Sequence, residues 1–149
     1  MVSKYSASPL ESVRDHVARY ESSDGADGYE RRGFQCIILT HIGRRSGLLR
    51  KSPLMKVVLE GQYILVASFA GQEHNPLWVD NVLTNSFVQI QDQDEIISTS
   101  ARLTNGCERE SAWRAAVAAY PPYAEYQRRT SREFPLFTCQ PRPGEHRGR

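Results

Sequence analysis

The sequence predicts a mainly β, α+β domain in which antiparallel strands curl into a barrel with helices packed outside it. Three observations carry this. Five or six β-rich runs occur, most of them joined as hairpins; two helical stretches interrupt them; and no regular strand–helix–strand alternation is present, which argues against a doubly wound dinucleotide fold. The 149 residues suffice for one domain with its own core and are too few for two ordinary ones.

The elements follow in order. SPLESVRDHVARY predicts a short amphipathic helix: Ser8 caps it, Pro9 takes the first helical position, Glu11 completes a capping box, and Leu10, Val13, Val17 and Tyr20 share a face. Polar, glycine-rich ESSDGADGYE comes next. Residues 1–33 therefore read as an amphipathic helix on a flexible linker, free to dock on the domain, a second subunit or a membrane surface. Residues 34–141 read as the barrel. FQCIILTH is a strand, and PLMKVVLE and QYILVAS flank Gly61 in a hairpin. FVQIQD turns Val88 and Ile90 inward, EIISTSARL answers it across Asp92–Asp94, and FPLFTC is the last strand. HNPLWVDNVLTN predicts a helix capped by Asn75 with Pro76 in its first turn; CERESAWRAAVAAY predicts another, with Trp113, Ala116, Val117 and Tyr120 on one face. The tail, 142–149, is rich in glycine and arginine with nothing to bury, and reads as disordered.

Composition narrows the function classes. The net charge is only +2 from nearly balanced acids and bases, so a general affinity for nucleic acid is not indicated. Cys36, Cys107 and Cys139 are odd in number and contain no CxxC pair, which fits packing residues in a reducing cytoplasm better than a disulfide framework or a zinc site. No run approaches the ~20 apolar residues of a membrane span.

The charge that matters is local. HIGRRSGLLRKS gathers Arg44, Arg45, Arg50 and Lys51 without an acid, while Gly43 and Gly47 permit a tight turn whose amides can converge with Ser46 on an anion. The spacing fails the P-loop pattern, since Lys51 lies four residues beyond Gly47. A solvated hairpin turn is the plainer alternative. No GxGxxG, GxSxG or HExxH occurs, so metal catalysis and serine hydrolysis lack support and no metal ligands are assigned. In SFAGQEHNPLW the small residues Ala67, Ser68, Ala70 and Gly71 let a flat ligand approach the backbone, with core packing as the alternative for Trp78. Tyr120, Tyr123 and Tyr126 fall at intervals of three; they can wall an aromatic pocket and offer a phenol proton, or simply pack.

Four ordered motifs span about Phe34 to Pro141: T-x-x-G-R-x-[ST]-G from Thr40, R-K-[ST]-P-L from Arg50, A-S-x-x-G…N-P-x-W from Ala67, and Y-P-x-Y-x-x-Y-Q-x-x-T from Tyr120. Together they resemble the deazaflavin-dependent nitroreductase and quinone reductase family of actinobacteria, which are split β-barrels related to flavin reductases. The resemblance implies coenzyme F420, an 8-hydroxy-5-deazaflavin with a phosphate and an oligoglutamate tail. It places the phosphate and tail on Arg45, Ser46, Arg50 and Lys51, with Gly43, Arg44 and Gly47 shaping the loop. The ring is placed along Pro53, Leu54 and Met55 and along Ala67, Ser68 and Phe69, near Asn75, Pro76 and Trp78. It further implies an oxidoreductase passing a hydride from the reduced deazaflavin to a quinone, nitroaromatic or enone, with Ser68, Tyr123 and Tyr126 as the candidate catalytic residues.

The sequence departs from the pattern at His74, where lysine is common, at Val79, where an aromatic is frequent, and at Tyr120, where tryptophan stands in the better-known quinone-reducing members. These changes bear on substrate choice. A non-catalytic deazaflavin carrier and an FMN- or haem-binding split barrel stay open as alternatives, because one fold hosts several cofactors. A homodimer and peripheral contact with the inner face of the cell membrane through the first helix also stay open; Glu11, Asp15 and Glu21 dilute the positive face that anionic lipid favours.

Overall fold

In chain order the elements are α1 (Glu11–Ser22), β1 (Glu30–Arg31), β2 (Phe34–Ile42), β3 (Leu49–Met55), β4 (Val58–Leu59), β5 (Gln62–Val66), a 3-10 turn (Phe69–Gly71), α2 (Trp78–Thr84), β6 (Phe87–Asp92), β7 (Glu95–Leu103), α3 (Gly106–Ala119), α4 (Pro122–Arg128) and β8 (Leu136–Gly148). This computed structural model describes residues 4–148, with side chains to residue 142. The strands form one sheet in the order β1-β2-β6-β7-β8-β5-β4, with β3 added beside β2, and all the pairings between strands are antiparallel. The expected split barrel with flanking helices is what forms.

The barrel does not close between β3 and β5. β3 is hydrogen-bonded only to β2 among the named strands, and β5 only to β4 and β8. Backbone polarity explains the gap. Leu49 N–H donates to Lys4 O and Leu49 O accepts from Ser6 N, both at 2.8 Å, so its peptide groups point away from β2. Strand groups repeat every second residue, so those of Lys51, Pro53 and Met55 point the same way. Pro53 has no N–H to offer there, and its loss costs the β2–β3 ladder nothing.

Two apolar clusters sandwich β5. Leu65 and Ala67 pack inside the barrel with Ile37, Leu39, Val88, Ile90 and Phe137, while Ile64 and Val66 face Val57, Ala112, Ala116 and Leu136 under α3. Burial on both sides is why YILV reads as an unbroken apolar run instead of alternating. Each such side chain contributes about 1.5–3 kcal/mol.

The first helix belongs to this body. Val17 and Tyr20 pack on Cys36 and Ile38 of β2. Tyr20 Oη donates to the carbonyls of Cys36 (3.0 Å) and Gln91 (3.3 Å) and accepts from Gln93 N–H at 2.9 Å. The expected flexible linker is instead a bonded turn: Gly25 N–H reaches Tyr20 O at 2.8 Å, Asp27 N–H reaches Ser23 Oγ at 2.8 Å, and His16 Nε2 meets Gly28 O at 2.7 Å. Gly25 has φ +84°, and a Cβ there would lie 2.7 Å from Gln93 Cα, so only glycine fits against the β6–β7 turn. Composition suggested a tether because polar residues bonded to their own backbone look the same as solvated ones.

Other expectations need correction. α1 starts at Glu11, not Pro9, and Leu10 is 63% exposed instead of sharing the packed face; Ser8 Oγ accepts from Leu10 N–H at 3.2 Å. α2 starts at Trp78, because the Asn75 side chain is held by Arg132. Cys107 is exposed, whereas Cys36 and Cys139 are buried. β8 runs to Gly148 through most of the segment expected to be disordered, pairing Ile97 with His146 and Glu95 with Gly148. A ladder needs only backbone groups, which composition does not count; Arg149 lies outside the described residues.

Tyr20→Phe keeps the ring and removes the hydroxyl that bridges α1, β2 and the β6–β7 turn. Urea unfolding is expected to show a loss of about 1–3 kcal/mol; unchanged stability would mean that packing alone docks α1.

Candidate functional site

The basic segment is the β2–β3 hairpin. Gly43 N–H bonds Leu48 O and Gly47 N–H bonds Gly43 O, each at 2.8 Å; Leu48 N–H bonds Ser46 Oγ at 3.1 Å and Arg44 N–H bonds Asn81 Oδ1 at 3.0 Å. Most of the loop amides are therefore engaged, and an anion here meets side chains instead of the converging amides expected from sequence. The four cations differ. Arg45 is exposed with no ion pair among the described residues, and Arg44 sits 3.8 Å from Asp80. Arg50 donates to Ser6 Oγ at 3.2 Å. Lys51, 18% exposed, is paired with Glu21 of α1, and its ammonium lies 4.8 Å from the centre of the Tyr5 ring. The N-terminal residues thus cover the inner half of the cationic face.

Asn81 fixes this hairpin to α2. Its Nδ2 donates to His41 Nδ1 at 3.1 Å, which leaves the imidazole proton on Nε2, 3.2 Å from Ser52 Oγ. His41 is buried, and burial with the nearby Arg50 charge lowers its pKa from 6.5 to about 4.

The open seam continues from the hairpin. Leu54 packs on the barrel cluster that includes Ala67 and Trp78, while Met55 packs on the cluster that includes Tyr120 and Tyr123 and on that of α1. After β5 the chain enters a tight turn in which Phe69, Ala70 and Gly71 have φ of 46°, 53° and 79°. For Phe69 and Ala70 such a left-handed conformation costs about 1–2 kcal/mol each. α4 packs on this turn: a Cβ on Gly71 would lie 2.7 Å from Tyr126 O.

The tyrosines are brought together, with ring centres 4.9 Å (Tyr120–Tyr123), 6.2 Å (Tyr120–Tyr126) and 6.3 Å (Tyr123–Tyr126) apart. Tyr120 and Tyr126 hydroxyls lie 3.2 Å apart. Burial pushes Tyr120 up to about 12 and raises Tyr123 further, so both phenols keep their protons at neutral pH. Tyr123 is 4% exposed within the α3 cluster and Trp78 is 5% exposed against Phe137, so both sit where core residues sit. Tyr126 and Phe69 keep exposed surface, Ser68 is nearly covered, and Asn75 and Pro76 lie on the loop before α2. Sequence reasoning missed Glu21, Asn81 and Arg132. Asn81 and Glu21 carry no local motif; they act only once helix and hairpin meet.

A split barrel with a polar, cation-rich hairpin at one end of an open apolar seam is the class defined by these observations. The sequence pattern of the F420H(2)-dependent quinone reductase family matches residues 12–141, reaching into α1. The chain is similar to Rv3178 of Mycobacterium tuberculosis, described as a candidate F420H(2)-dependent quinone reductase, with 31% identity over 106 residues covering 71% of this chain and 89% of the relative. Among solved structures, an F420-H2 dependent reductase (FDR-A) is 43% identical with TM-score 0.67, covering 70% of this chain and 93% of that one. A structure described as a domain-swapped dimer is 38% identical with TM-score 0.71, covering 85% and 92%. This chain belongs to the F420H(2)-dependent quinone reductase family, a family of oxidoreductases whose cofactor is coenzyme F420.

The His41 geometry has a pH consequence. Between pH 6.5 and about 4 the unfolded chain takes up a proton that the folded chain refuses, so stability falls as pH drops through that window. The contribution is on the order of 2–3 kcal/mol. In His41→Gln, which retains polar partners for Asn81 and Ser52, urea unfolding from pH 7 to 4.5 is expected to show a shallower loss than wild type. Parallel pH profiles would mean that His41 is not held neutral.

Proposed function

We propose that this chain reduces a quinone with coenzyme F420 bound in the seam between β3 and β5. The observation that carries the reading is that one strand bears both halves of the expected site. Arg50 and Lys51 open β3 and Pro53–Met55 follow on it. At ~3.3 Å per residue, cationic and apolar halves are separated by roughly 10 Å, the scale of a ring with an anionic tail.

Residue types along the seam fit such a cofactor. Arg45 and Ser46 at the hairpin tip, with Arg50 and Lys51 behind them, meet phosphate and carboxylates, arginine by its planar fork. Leu54 and Met55, both half-buried, offer apolar surface, and the turn at Ser68–Phe69 would bring backbone close to the ring. When bound in its reduced form, the coenzyme supplies a hydride from C5 of its deazaflavin. The chain's own part is to align ring and acceptor, exclude water and donate hydrogen bonds to the acceptor oxygen. Tyr126, paired to Tyr120 and half-exposed, is the better placed phenol for that; Ser68 is the alternative donor, and Tyr123 supports the wall. Nitroaromatics and enones share the electrophilic character of a quinone and are proposed as further acceptors.

The dimeric structural relative supports a homodimer for this chain. Peripheral membrane contact has less to support it, because Val17 and Tyr20 are buried against the barrel and Leu10 is what remains exposed of the expected apolar face. Among the described residues no helix is long and apolar enough to cross a membrane.

Titration with coenzyme F420 beside FMN and NADPH, followed by stopped-flow oxidation of the reduced coenzyme by menadione, tests the function. Selective binding with rapid oxidation is expected; binding without oxidation of any quinone would point to a carrier, and FMN selectivity would contradict the cofactor site. Glu21→Gln frees Lys51 of its internal partner. Affinity for the coenzyme is expected to rise by about two- to fivefold, the scale of a partly exposed ion pair. An unchanged affinity would mean that Lys51 does not reach the anionic tail.

A further inference from the structure

Arg132 follows α4 and makes an unusual set of contacts. Its Nε donates to Gln72 O at 3.0 Å, Nη1 to Ala67 O at 3.2 Å and Asn75 Oδ1 at 2.6 Å, and Nη2 to Ser68 O and Gln72 O at 2.9 Å each. One guanidinium therefore grips both ends of the turn that carries three successive left-handed residues, Phe69, Ala70 and Gly71. Beyond the clamp, α4 packs against Gly71 and the Phe69 ring centre lies 5.4 Å from that of His74. Phe69 is 39% exposed, and the turn's own hydrogen bonds are Gly71 N–H to Ser68 O at 2.9 Å and Gln72 N–H to Phe69 O at 3.0 Å, with a long 3.5 Å contact from Arg129 Nη1 to Ala70 O.

The clamp is itself anchored. The guanidinium carbon of Arg132 lies 4.7 Å from the centre of the buried Phe134 ring, its N–H donates to Thr130 Oγ1 at 3.1 Å, and its carbonyl accepts from Gln127 Nε2 at 2.7 Å. It pairs with backbone carbonyls and an amide and has no carboxylate partner among the described residues. That is a use for which the planar fork is needed and a lysine ammonium cannot substitute.

We infer that Arg132 is a positioning residue: it holds the Ser68–Asn75 turn in its strained shape and so fixes the backbone that faces the ring in the β3–β5 seam. The inference rests on the cofactor site proposed above, but the clamp itself can be read without cofactor.

The test compares wild type, Arg132→Ala, Arg132→Lys and Arg109→Ala. Arg109 is a control that binds a neighbouring carbonyl, Phe134 O at 2.8 Å, without touching the turn. Amide hydrogen exchange of Gly71 and Gln72, with no coenzyme present, is expected to quicken in both Arg132 variants while β2 and β6 stay protected; millimolar methylguanidinium is expected to slow it again in Arg132→Ala. With coenzyme F420 and menadione, both variants are expected to lose about 10- to 100-fold in kcat/KM. Methylguanidinium should restore part of that loss in Arg132→Ala and change nothing in wild type or Arg109→Ala. Unchanged exchange at Gly71 and Gln72 would overturn the clamp, and faster exchange with undiminished turnover would overturn its positioning role. Wild-type protein that fails to bind the coenzyme overturns the proposed function instead, with the exchange data still reading the clamp.

Discussion

The structure depends on a ladder that does not form. β3 turns the peptide groups of Lys51, Pro53 and Met55 away from β2, and a proline in the middle of that edge denies it a donor. The barrel must therefore be held shut elsewhere: by β8 bridging β5 to β7, by apolar packing on both faces of β5, and by α1 pinned through the Tyr20 hydroxyl. What remains between β3 and β5 is a seam without a ladder, with Arg50 and Lys51 near the start of β3 and the half-buried Leu54 and Met55 at its end. A fold that closed this seam would be a more ordinary barrel and would have nowhere to lay a flat ring.

Much of this was legible in the sequence where local chemistry decides. The FVQIQD–EIISTSARL hairpin, the Gly61 turn and α3 follow from period and turn residues, and the ordered motifs from Thr40 to Thr130 point to the family that the comparison also gives. The rest turned on partners far apart in the chain. Gly25 looks like linker flexibility until Gln93 stands against it, and Asn75 looks like a cap until Arg132 takes its side chain. The basic hairpin looked like four free cations, yet Glu21 and Ser6, more than twenty residues away, already hold two of them. Trp78 and Tyr123 show the reverse case. A motif singles them out, while their burial gives them an ordinary packing role.

The charge arrangement bears on how the site works. Of the four hairpin cations only Arg45 is exposed and free of an ion pair among the described residues, so in the proposed site a polyanion would meet it first and displace Glu21 from Lys51 to engage the deeper cations. In the proposed site that exchange would tie cofactor binding to α1, whose Tyr20 hydroxyl accepts from the β6–β7 turn. On the other wall, the proposed Arg132 clamp grips the Ser68–Asn75 turn, in which Ser68 and Gly71 are buried and Phe69 is exposed. Both walls are thus set by side chains reaching across from separate elements, which is how a seam without a ladder keeps a defined width.

The proposed site requires the deazaflavin ring to lie in the β3–β5 seam. The most direct measurement is a crystal structure with oxidised coenzyme F420 bound. Ring density between Pro53–Met55 and Ala67–Phe69, with the phosphate and tail at Arg45, Arg50 and Lys51, is the expected result. Ring density elsewhere on the protein, with this seam closed or filled by the chain's own residues, would contradict it.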